Sequence, residues 1–385
     1  MSPLNIQLRM SRTVIFDTHI TGHNLEYLHH IYSEAINRTD ETFIFAIPEA
    51  FKDVRHKLSW REASNISFHY ITHDELRPTI CGFWRRPLIN CCILRRIVKQ
   101  YNADSVILIV LAQILPFVFL LPRRVSISGI LYYIYLYKWN SLGIYSRIVE
   151  VLNYLCIKYT SNVKRVFLLN DYVAVRYFNK IYKTSKFCYL LDPVFNKVSP
   201  DLSISRKSLG IPERSRVYFH FGSMSYRKGT LDVLKCIEYL DPINTYIFAG
   251  VVAPDIKEEF YNRVQKLNER YHILLFDEFC SFEKIASFCQ LSNFLFLPYK
   301  EVYQSSGVIG YASLYNVPVI STKNGMLGKL VRRYKLGWSF DFSNIKAVCK
   351  EISSIECKSK PIPVDYVKTH SVSEFSKVLL CQYND

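Results

Sequence analysis

The chain has 385 residues, of which 49% are hydrophobic and 21% are charged, and its formal net charge is +16. This composition excludes an intrinsically disordered chain, and the length predicts two domains that each bury a core. The positive charge favours acidic partners, such as an anionic membrane surface or a phosphorylated substrate, whereas no nucleic acid is expected because no nucleic-acid-binding motif is present.

The first half of the chain alternates short apolar segments with longer amphipathic segments. This alternation predicts an α/β domain with a doubly wound parallel sheet and helices on both of its faces. Strands are predicted at 13–16, 43–47, 66–71, 105–110, 124–128, 165–169 and 186–190, and helices at 24–37, 88–101, 145–160 and 173–181.

A glycine-containing turn, Thr21-Gly22-His23-Asn24, follows the first predicted strand. Gly22 permits a close approach of the backbone to a ligand. His23 is a candidate proton carrier or ligand contact because imidazole titrates near neutral pH, and a polar surface residue is the alternative. Both residues are candidate substrate contacts.

The stretch from Arg77 to Arg147 is strongly basic, and Asp104 is its only acidic residue. Arginine pairs such as Arg95-Arg96 lie near apolar segments at 117–121 and 130–137. Exposed apolar residues beside paired bases suit the headgroup layer of an anionic membrane. An ordinary solvated basic face is the alternative.

The uncharged segment 105–122 approaches the length of a membrane span, about 20 residues. Gln113 and Pro116 interrupt it, and its start, Val106-Ile107-Leu108-Ile109-Val110, is rich in β-branched residues. The segment therefore predicts a buried parallel strand followed by a short buried helix, with a membrane span as the alternative.

The cysteines and the N-terminus indicate a cytoplasmic protein, with peripheral contact to the inner face of the membrane. The 11 cysteines show no paired metal-binding spacing. They are expected to be reduced thiols, mostly in the core. The N-terminus lacks the long apolar core of a signal peptide.

A polar linker is predicted at 193–213, between a first domain at 1–192 and a second α/β domain at 214–365. The segment 366–385 is predicted to form a C-terminal helix that packs back toward the first domain. Two doubly wound domains would face a central cleft at the carboxyl ends of their sheets. Strands of the second domain are predicted at 216–221, 245–249, 272–276, 294–297 and 318–321, and helices at 229–239, 256–270, 282–289 and 307–315.

Two cations precede the first helix of the second domain. Gly222 and Ser223 follow the strand at 216–221, and Arg227 and Lys228 stand just before the helix. Cations are unfavourable at a helix N-terminus, so a bound anion would explain them, since Arg and Lys both bind phosphate. A solvated Arg-Lys pair is the alternative.

A second turn of this kind is Gln304-Ser305-Ser306-Gly307, between a strand and a helix. Small hydroxyl side chains and a glycine let backbone N–H groups approach a phosphate, and the helix N-terminus adds partial positive charge. The turn therefore predicts a binding site for an anion, specifically a diphosphate. A plain Ser N-cap is the alternative.

Four segments carry a family resemblance. The first glycine-containing loop lies in THITGHNLEYLHHI, and the first domain closes with YLLDPV. The two anion-binding turns lie in FHFGSMSYRKGTLDVLKCI and FLPYKEVYQSSGVIGYASLYNVPVISTKNGMLGKLV. Together these segments resemble GT-B fold glycosyltransferases, close to the retaining family-4 type, in which two Rossmann-like domains face a central cleft.

The resemblance implies an acceptor-side N-terminal domain and a C-terminal domain that binds a nucleotide-sugar. Arg227 and Lys228 would act in catalysis, because they would hold the diphosphate and stabilise its negative charge as it leaves. The substrate-binding residues would be Gly22, His23, Gly222, Ser223, Gln304, Ser305, Ser306, Gly307 and Tyr311.

The implied reaction transfers a sugar from a nucleotide-sugar to a saccharide or lipid-linked acceptor, with retention of configuration. The pathway would be the synthesis of a surface polysaccharide or another glycan. The sequence has no Asp-x-Asp motif, so we expect neither a metal nor a cofactor.

The chain departs from the family pattern at several positions. Ser223 stands where the family often has Arg, and Tyr303 and Tyr311 stand at the positions of its two Glu residues. The second Glu normally holds the donor ribose. A non-catalytic GT-B-like subunit that binds a nucleotide or a partner is therefore an alternative, and a nucleotide-sugar epimerase is another.

Overall fold

The structure is a computed structural model that describes residues 10–19, 23–57, 60–77, 84–132, 134–194, 197–301, 306–356 and 366–381. The chain divides into two compact units. One comprises residues up to Leu191 together with those from Ser373 onward, and the other runs from Asp192 to Val372.

The first unit is built on a seven-stranded parallel sheet with the order β3-β2-β1-β4-β5-β6-β7. Its strands are β1 (Ser11–Phe16), β2 (Glu41–Pro48), β3 (Ile66–Ile71), β4 (Ser105–Leu108), β5 (Ser126–Ile130), β6 (Val163–Leu169) and β7 (Phe187–Leu190). Its helices are α1 (His23–Ala35), α2 (Phe51–Lys57), α3 (His73–Leu76), α4 (Arg85–Gln100), α5 (Ile144–Tyr159) and α6 (Tyr172–Tyr182).

The second unit is built on a six-stranded parallel sheet with the order β10-β9-β8-β11-β12-β13. Its strands are β8 (Val217–Phe221), β9 (Thr245–Ala249), β10 (His272–Phe276), β11 (Phe294–Leu297), β12 (Val319–Thr322) and β13 (Gly337–Phe340). Its helices are α7 (Thr230–Ile237), α8 (Lys257–Leu267), α9 (Phe282–Leu291), α10 (Val308–Leu314), α11 (Gly325–Arg333), α12 (Ile345–Ser354) and α13 (Tyr366–Thr369).

Both sheets reverse their strand order at the middle, and the prediction of two doubly wound α/β domains is confirmed. The central strands are mostly apolar because helices cover both faces of each sheet, and every residue of β8 is buried. The reversal lies between β1 and β4 in the first sheet and between β8 and β11 in the second. Ligands of open α/β sheets bind past the carboxyl ends of strands at such points.

The C-terminal helix α14 (Val372–Leu380) packs in the first unit. The ring of Phe375 lies 4.9 Å from that of Tyr27 in α1, and the Ser376 hydroxyl donates a hydrogen bond of 2.9 Å to the His30 carbonyl oxygen. Val194 and Ile211, within the stretch predicted as a linker, are buried in the core of the second unit.

The segment 105–122 forms β4 followed by two 3₁₀ turns, Leu111–Gln113 and Phe117–Leu120, and most of its side chains are buried. The predicted buried strand is thus confirmed. In the part of the chain that the structure describes, every helix is too short or too polar to cross a membrane.

The described residues of the apolar segments predicted to be exposed beside the arginine pairs are buried or half-buried, with one exception, so that expectation is wrong. Val118, Leu121, Leu131 and Ile134 all belong to the core of the first unit. The reason is that these residues fill the layer between the sheet and helices α4 and α5. The exception among the described residues is Phe119, with 58% of its surface accessible.

Candidate functional site

The loop after β8 holds a buried lysine against a glycine. Gly222 has φ +93°, a conformation that favours glycine, and a Cβ atom there would lie 2.3 Å from Lys228 Nζ. Lys228 is 8% exposed, and its ammonium donates a hydrogen bond of 3.3 Å to the Phe221 carbonyl oxygen. The absence of a side chain at Gly222 therefore makes room for the ammonium.

Neither Lys228 nor Arg227 forms an ion pair with a carboxylate among the described residues. The other contact of Lys228 is aromatic, since its Nζ lies 5.8 Å from the ring centre of Tyr299. Burying a charge without a counter-ion is costly. An anion bound next to Lys228 would remove that cost.

Two further glycines bring backbone segments together around this loop. Gly229 has φ +67°, and a Cβ atom there would lie 2.0 Å from the Pro298 carbonyl oxygen, which follows β11. Gly250 has φ +127°, and its Cβ atom would lie 2.2 Å from the Gly222 carbonyl oxygen. Only glycine fits at these contacts, so the loops after β8, β9 and β11 are held close together.

The His220 side chain, in β8, holds the same loop in place through hydrogen bonds. Its Nδ1 lies 2.8 Å from the Phe296 carbonyl oxygen, and its Nε2 lies 2.9 Å from the Thr230 hydroxyl, which also accepts the Ser225 N–H. Because a carbonyl only accepts, Nδ1 carries the proton and the Thr230 hydroxyl donates to Nε2. Burial lowers the pKa of His220 to about 4, so the ring is neutral at pH 7.

The second predicted turn approaches the first through Tyr299. The Tyr299 and Ser306 hydroxyls lie 3.1 Å apart, and Tyr299 is 4% exposed. Gly307 precedes α10 with an ordinary helical φ of −57°. The structure therefore brings Lys228 and Ser306 next to the same buried tyrosine. Gln304 and Ser305 lie outside the described residues.

Backbone contacts also join the two loops. The Arg227 carbonyl oxygen accepts hydrogen bonds from the N–H groups of Lys300 and Glu301, at 3.0 and 3.2 Å. The Lys300 ammonium lies 3.1 Å from a carboxylate oxygen of Asp232, in the first turn of α7. This ion pair neutralises Lys300, so it differs from the unpaired Lys228.

Tyr311 and Ser223 occupy different environments. The half-buried Tyr311 ring packs edge-to-face on Phe221, with 5.3 Å between the ring centres. Phe221 is the last residue of β8, so Tyr311 lies beside the Lys228 loop and provides an aromatic ring at that position. Ser223 is exposed, and Arg227 is half-buried.

The first unit has a polar cluster at its own point of strand reversal, which the sequence did not indicate. Asp17 follows β1 and is completely buried. Its carboxylate accepts hydrogen bonds from the His19 N–H at 2.9 Å, the Asn24 amide at 2.9 Å and the Gln113 amide at 2.8 Å. The Gln113 Oε1 atom is buried without a hydrogen-bond partner among the described residues.

The predicted residues of the first loop are described only in part. Gly22 lies outside the described residues, and His23 is the first residue of α1. Over the described ranges, no group of three or more His, Cys, Asp or Glu side chains is arranged to hold a metal ion.

Tyr299, His220 and Thr230 were missed as site residues by sequence reasoning. Pro298 and Tyr299 lie in the long segment from Phe296 that carries the family resemblance, but nothing in the sequence singles out Tyr299 within it. His220 and Thr230 gave no signal, because a histidine within an apolar strand and a threonine at a helix start are both common.

No protein-family model matches the sequence, and no curated protein matches it either. Solved structures do match its fold. One is Anabaena Alr3699/HepE in complex with UDP and glucose, with 16% identity, a TM-score of 0.66 and coverage of 96% of this chain and 94% of that one. Another is WaaG, a glycosyltransferase involved in lipopolysaccharide biosynthesis, with 12% identity, a TM-score of 0.65 and coverage of 96% and 100%.

A third structure, an alpha,alpha-trehalose-phosphate synthase (UDP-forming) from Burkholderia vietnamiensis, has 9% identity, a TM-score of 0.69 and coverage of 96% and 98%. At these identities the similarity concerns the fold. The chain has the fold of GT-B glycosyltransferases over nearly its whole length, and the predicted fold class is confirmed.

Proposed function

We propose that this chain is a glycosyltransferase that uses a nucleotide-sugar donor. The observation that supports this most is the buried Lys228 ammonium, which lacks a carboxylate partner among the described residues and lies at the strand reversal of the second sheet. The similar HepE structures, in complex with UDP and with UDP-glucose, support a nucleoside diphosphate as the anion.

In the proposed reaction, the main problem is the negative charge that develops on the departing diphosphate. Lys228 and Arg227 would stabilise this charge without a metal ion. The Ser306 hydroxyl and the backbone N–H of Gly307 would donate hydrogen bonds to the diphosphate, together with Gln304 and Ser305. Gly222 and Ser223 would line the same loop, and retention of configuration rests on the family resemblance alone.

The acceptor would be a saccharide or a lipid-linked saccharide, in the synthesis of a surface polysaccharide or another glycan at the cytoplasmic side of a membrane. The cluster around Asp17 supports a hydroxyl-bearing acceptor. Sugar hydroxyls both donate and accept hydrogen bonds, and the unpaired Gln113 Oε1 is an acceptor for one of them. Gly22 and His23 would contact substrate from the neighbouring loop.

A non-catalytic nucleotide-binding or partner-binding subunit is the second candidate. It is favoured by Tyr311, which places a ring where the family has a carboxylate for the donor ribose. Such a protein would bind a nucleotide through Lys228 without turning it over.

The proposal is tested in two steps. A thermal-shift screen of the full chain against UDP, GDP, ADP and their sugars should reveal one nucleotide that raises the melting temperature, because a ligand of the folded state stabilises it. Lys228→Met should abolish that shift. Donor hydrolysis or transfer then separates the candidates, since binding without turnover supports a non-catalytic nucleotide-binding subunit. The absence of any nucleotide binding would contradict both the transferase and a nucleotide-binding subunit.

A further inference from the structure

Helix α5 is apolar on both of its sides. Its inner side buries Val149, Tyr154 and Ile157 in the core of the first unit. Its outer side carries Ile144 and Ile148, which are 77% and 53% exposed, together with the exposed Leu152 and Tyr159. A surface helix normally has a polar outer face, so this apolar stripe is a candidate interaction site.

Helix α6 extends the same surface. Tyr154 of α5 packs on Phe178 of α6, with 4.5 Å between ring centres, and both belong to one core. The outward sides of the two helices therefore face the same solvent region. On α6 this side carries the exposed residues Val173, Tyr177 and Ile181. We call these outward sides of α5 and α6 the α5–α6 surface.

Cations surround the apolar residues of the α5–α6 surface. Arg176, Lys180 and Lys183 are exposed on and just after α6, one helical turn apart from one another. On the other side of α5, Trp84 at the start of α4 packs edge-to-face on Tyr145. This contact places the start of α4, where Arg85 and Arg86 are exposed, beside the apolar stripe.

The few acidic side chains near this surface are buried or half-buried, and two of them accept backbone hydrogen bonds. Between residues 85 and 186 the acidic residues are Asp104, Glu150 and Asp171. Asp171 is buried and caps α6 by accepting the Ala174 N–H at 2.9 Å, and Asp104 accepts the Arg12 N–H at 3.0 Å. Glu150 is half-buried. Over residues 85–186, the exposed charged side chains are therefore all Lys or Arg.

We propose that the α5–α6 surface docks on an anionic lipid bilayer. Apolar side chains that enter the acyl boundary need no polar partner, tyrosines suit the interface, and Lys and Arg bind lipid phosphates with their stems along the apolar layer. A neutral protein partner would leave the cations unpaired. This docking does not depend on the proposed transferase activity. It would place the membrane contact on α5 and α6.

Vesicle flotation of the full chain tests the proposal, with phosphatidylcholine vesicles and with vesicles that also contain phosphatidylglycerol, at about 0.1 M salt. We expect binding to the anionic vesicles only. The double variants Ile148→Asp/Leu152→Asp and Arg176→Glu/Lys180→Glu should each weaken this binding at least about tenfold. The first places two carboxylates in the apolar layer, and the second replaces two lipid-binding cations with acids.

Matched controls lie on the second unit. Lys257→Glu/Lys266→Glu makes the same charge change on α8, and Leu202→Asp/Tyr239→Asp replaces two exposed apolar residues. These variants should bind anionic vesicles like the parent chain, and all variants should keep its melting temperature. Equal weakening by the controls, or no binding to anionic vesicles, would overturn the proposal. So would a dimer that Ile148→Asp/Leu152→Asp dissociates, because a second copy would then cover the surface.

Discussion

The hydroxyl groups of Tyr299 and Ser306 lie 3.1 Å apart, and the ring of the same tyrosine lies 5.8 Å from the Lys228 ammonium. One buried side chain thus connects the loops that follow β8 and β11. It orients the hydroxyl of Ser306 and gives Lys228 an aromatic neighbour. The relationship makes the two predicted anion-binding turns parts of one site.

Lys228→Met should lower turnover by a factor on the order of 10²–10³, because it removes a fixed positive charge from the leaving diphosphate. The melting temperature without ligand should stay the same or rise, since an ammonium buried without a carboxylate partner is lost. Steady-state kinetics and thermal melting measure both effects. Lys257→Met, on the exposed α8, is the control, and a similar loss of turnover in it would contradict the role of Lys228.

Tyr299→Phe tests the hydrogen bond to Ser306 separately from the packing of the ring beside Lys228. The ring beside Lys228 remains, while the hydrogen bond to Ser306 is lost at a cost of about 1 kcal/mol. We expect donor binding to weaken by roughly fivefold, which corresponds to that energy. Calorimetric titration with the nucleotide found in the screen checks this. Unchanged affinity would show that Ser306 needs no orientation.

Gly229→Ala should destabilise the second unit by more than backbone strain alone. Its Cβ atom would lie 2.0 Å from the Pro298 carbonyl oxygen, whereas Gly210, with nearly the same φ of +65°, has nothing within 4 Å of its Cβ position. Gly210→Ala should cost about 1–2 kcal/mol, and Gly229→Ala about 1–3 kcal/mol more. Urea unfolding compares them, and equal costs would contradict the close contact.

The free energy of unfolding of the second unit should decrease as the pH is lowered from 6.5, because of His220. Its pKa is lowered to about 4 by burial, so the unfolded chain binds the proton first as the pH falls. Between pH 7 and pH 5 the loss should be on the order of 2 kcal/mol. His220→Asn, whose amide can still donate to Phe296, should flatten this dependence in urea unfolding. An unchanged slope in the variant would place the acid sensitivity elsewhere.

Sequence reasoning predicted most strands because they are continuous apolar runs, and β9, β10 and β11 have the predicted bounds. It missed β13, an edge strand that begins at Gly337 and is only half-buried along its length. It also missed α11, because Lys323, Asn324 and Gly325 at its start have the composition of a turn.

The site was predictable only where charge or glycine marks it. Lys228 stands out because a cation is unfavourable just before a helix, and Gly222 stands out because a glycine directly after a strand marks a turn. The bond between His220 and Phe296 joins residues 76 positions apart, and nothing local signals it. The Asp17 cluster depends in the same way on Gln113, 96 positions away.

Helix α14 belongs to the first unit although it follows the second unit in the chain. It packs against Tyr27 and His30, so the core that begins with the first strand is completed by residues that are synthesised after the whole second unit. During translation the partner surface on α1 therefore has no covering helix until the ribosome has made the second unit and α14. The second unit, in contrast, is continuous and has all of its residues earlier. We therefore expect the second unit to finish folding first on the ribosome, opposite to the order in which the two units begin synthesis.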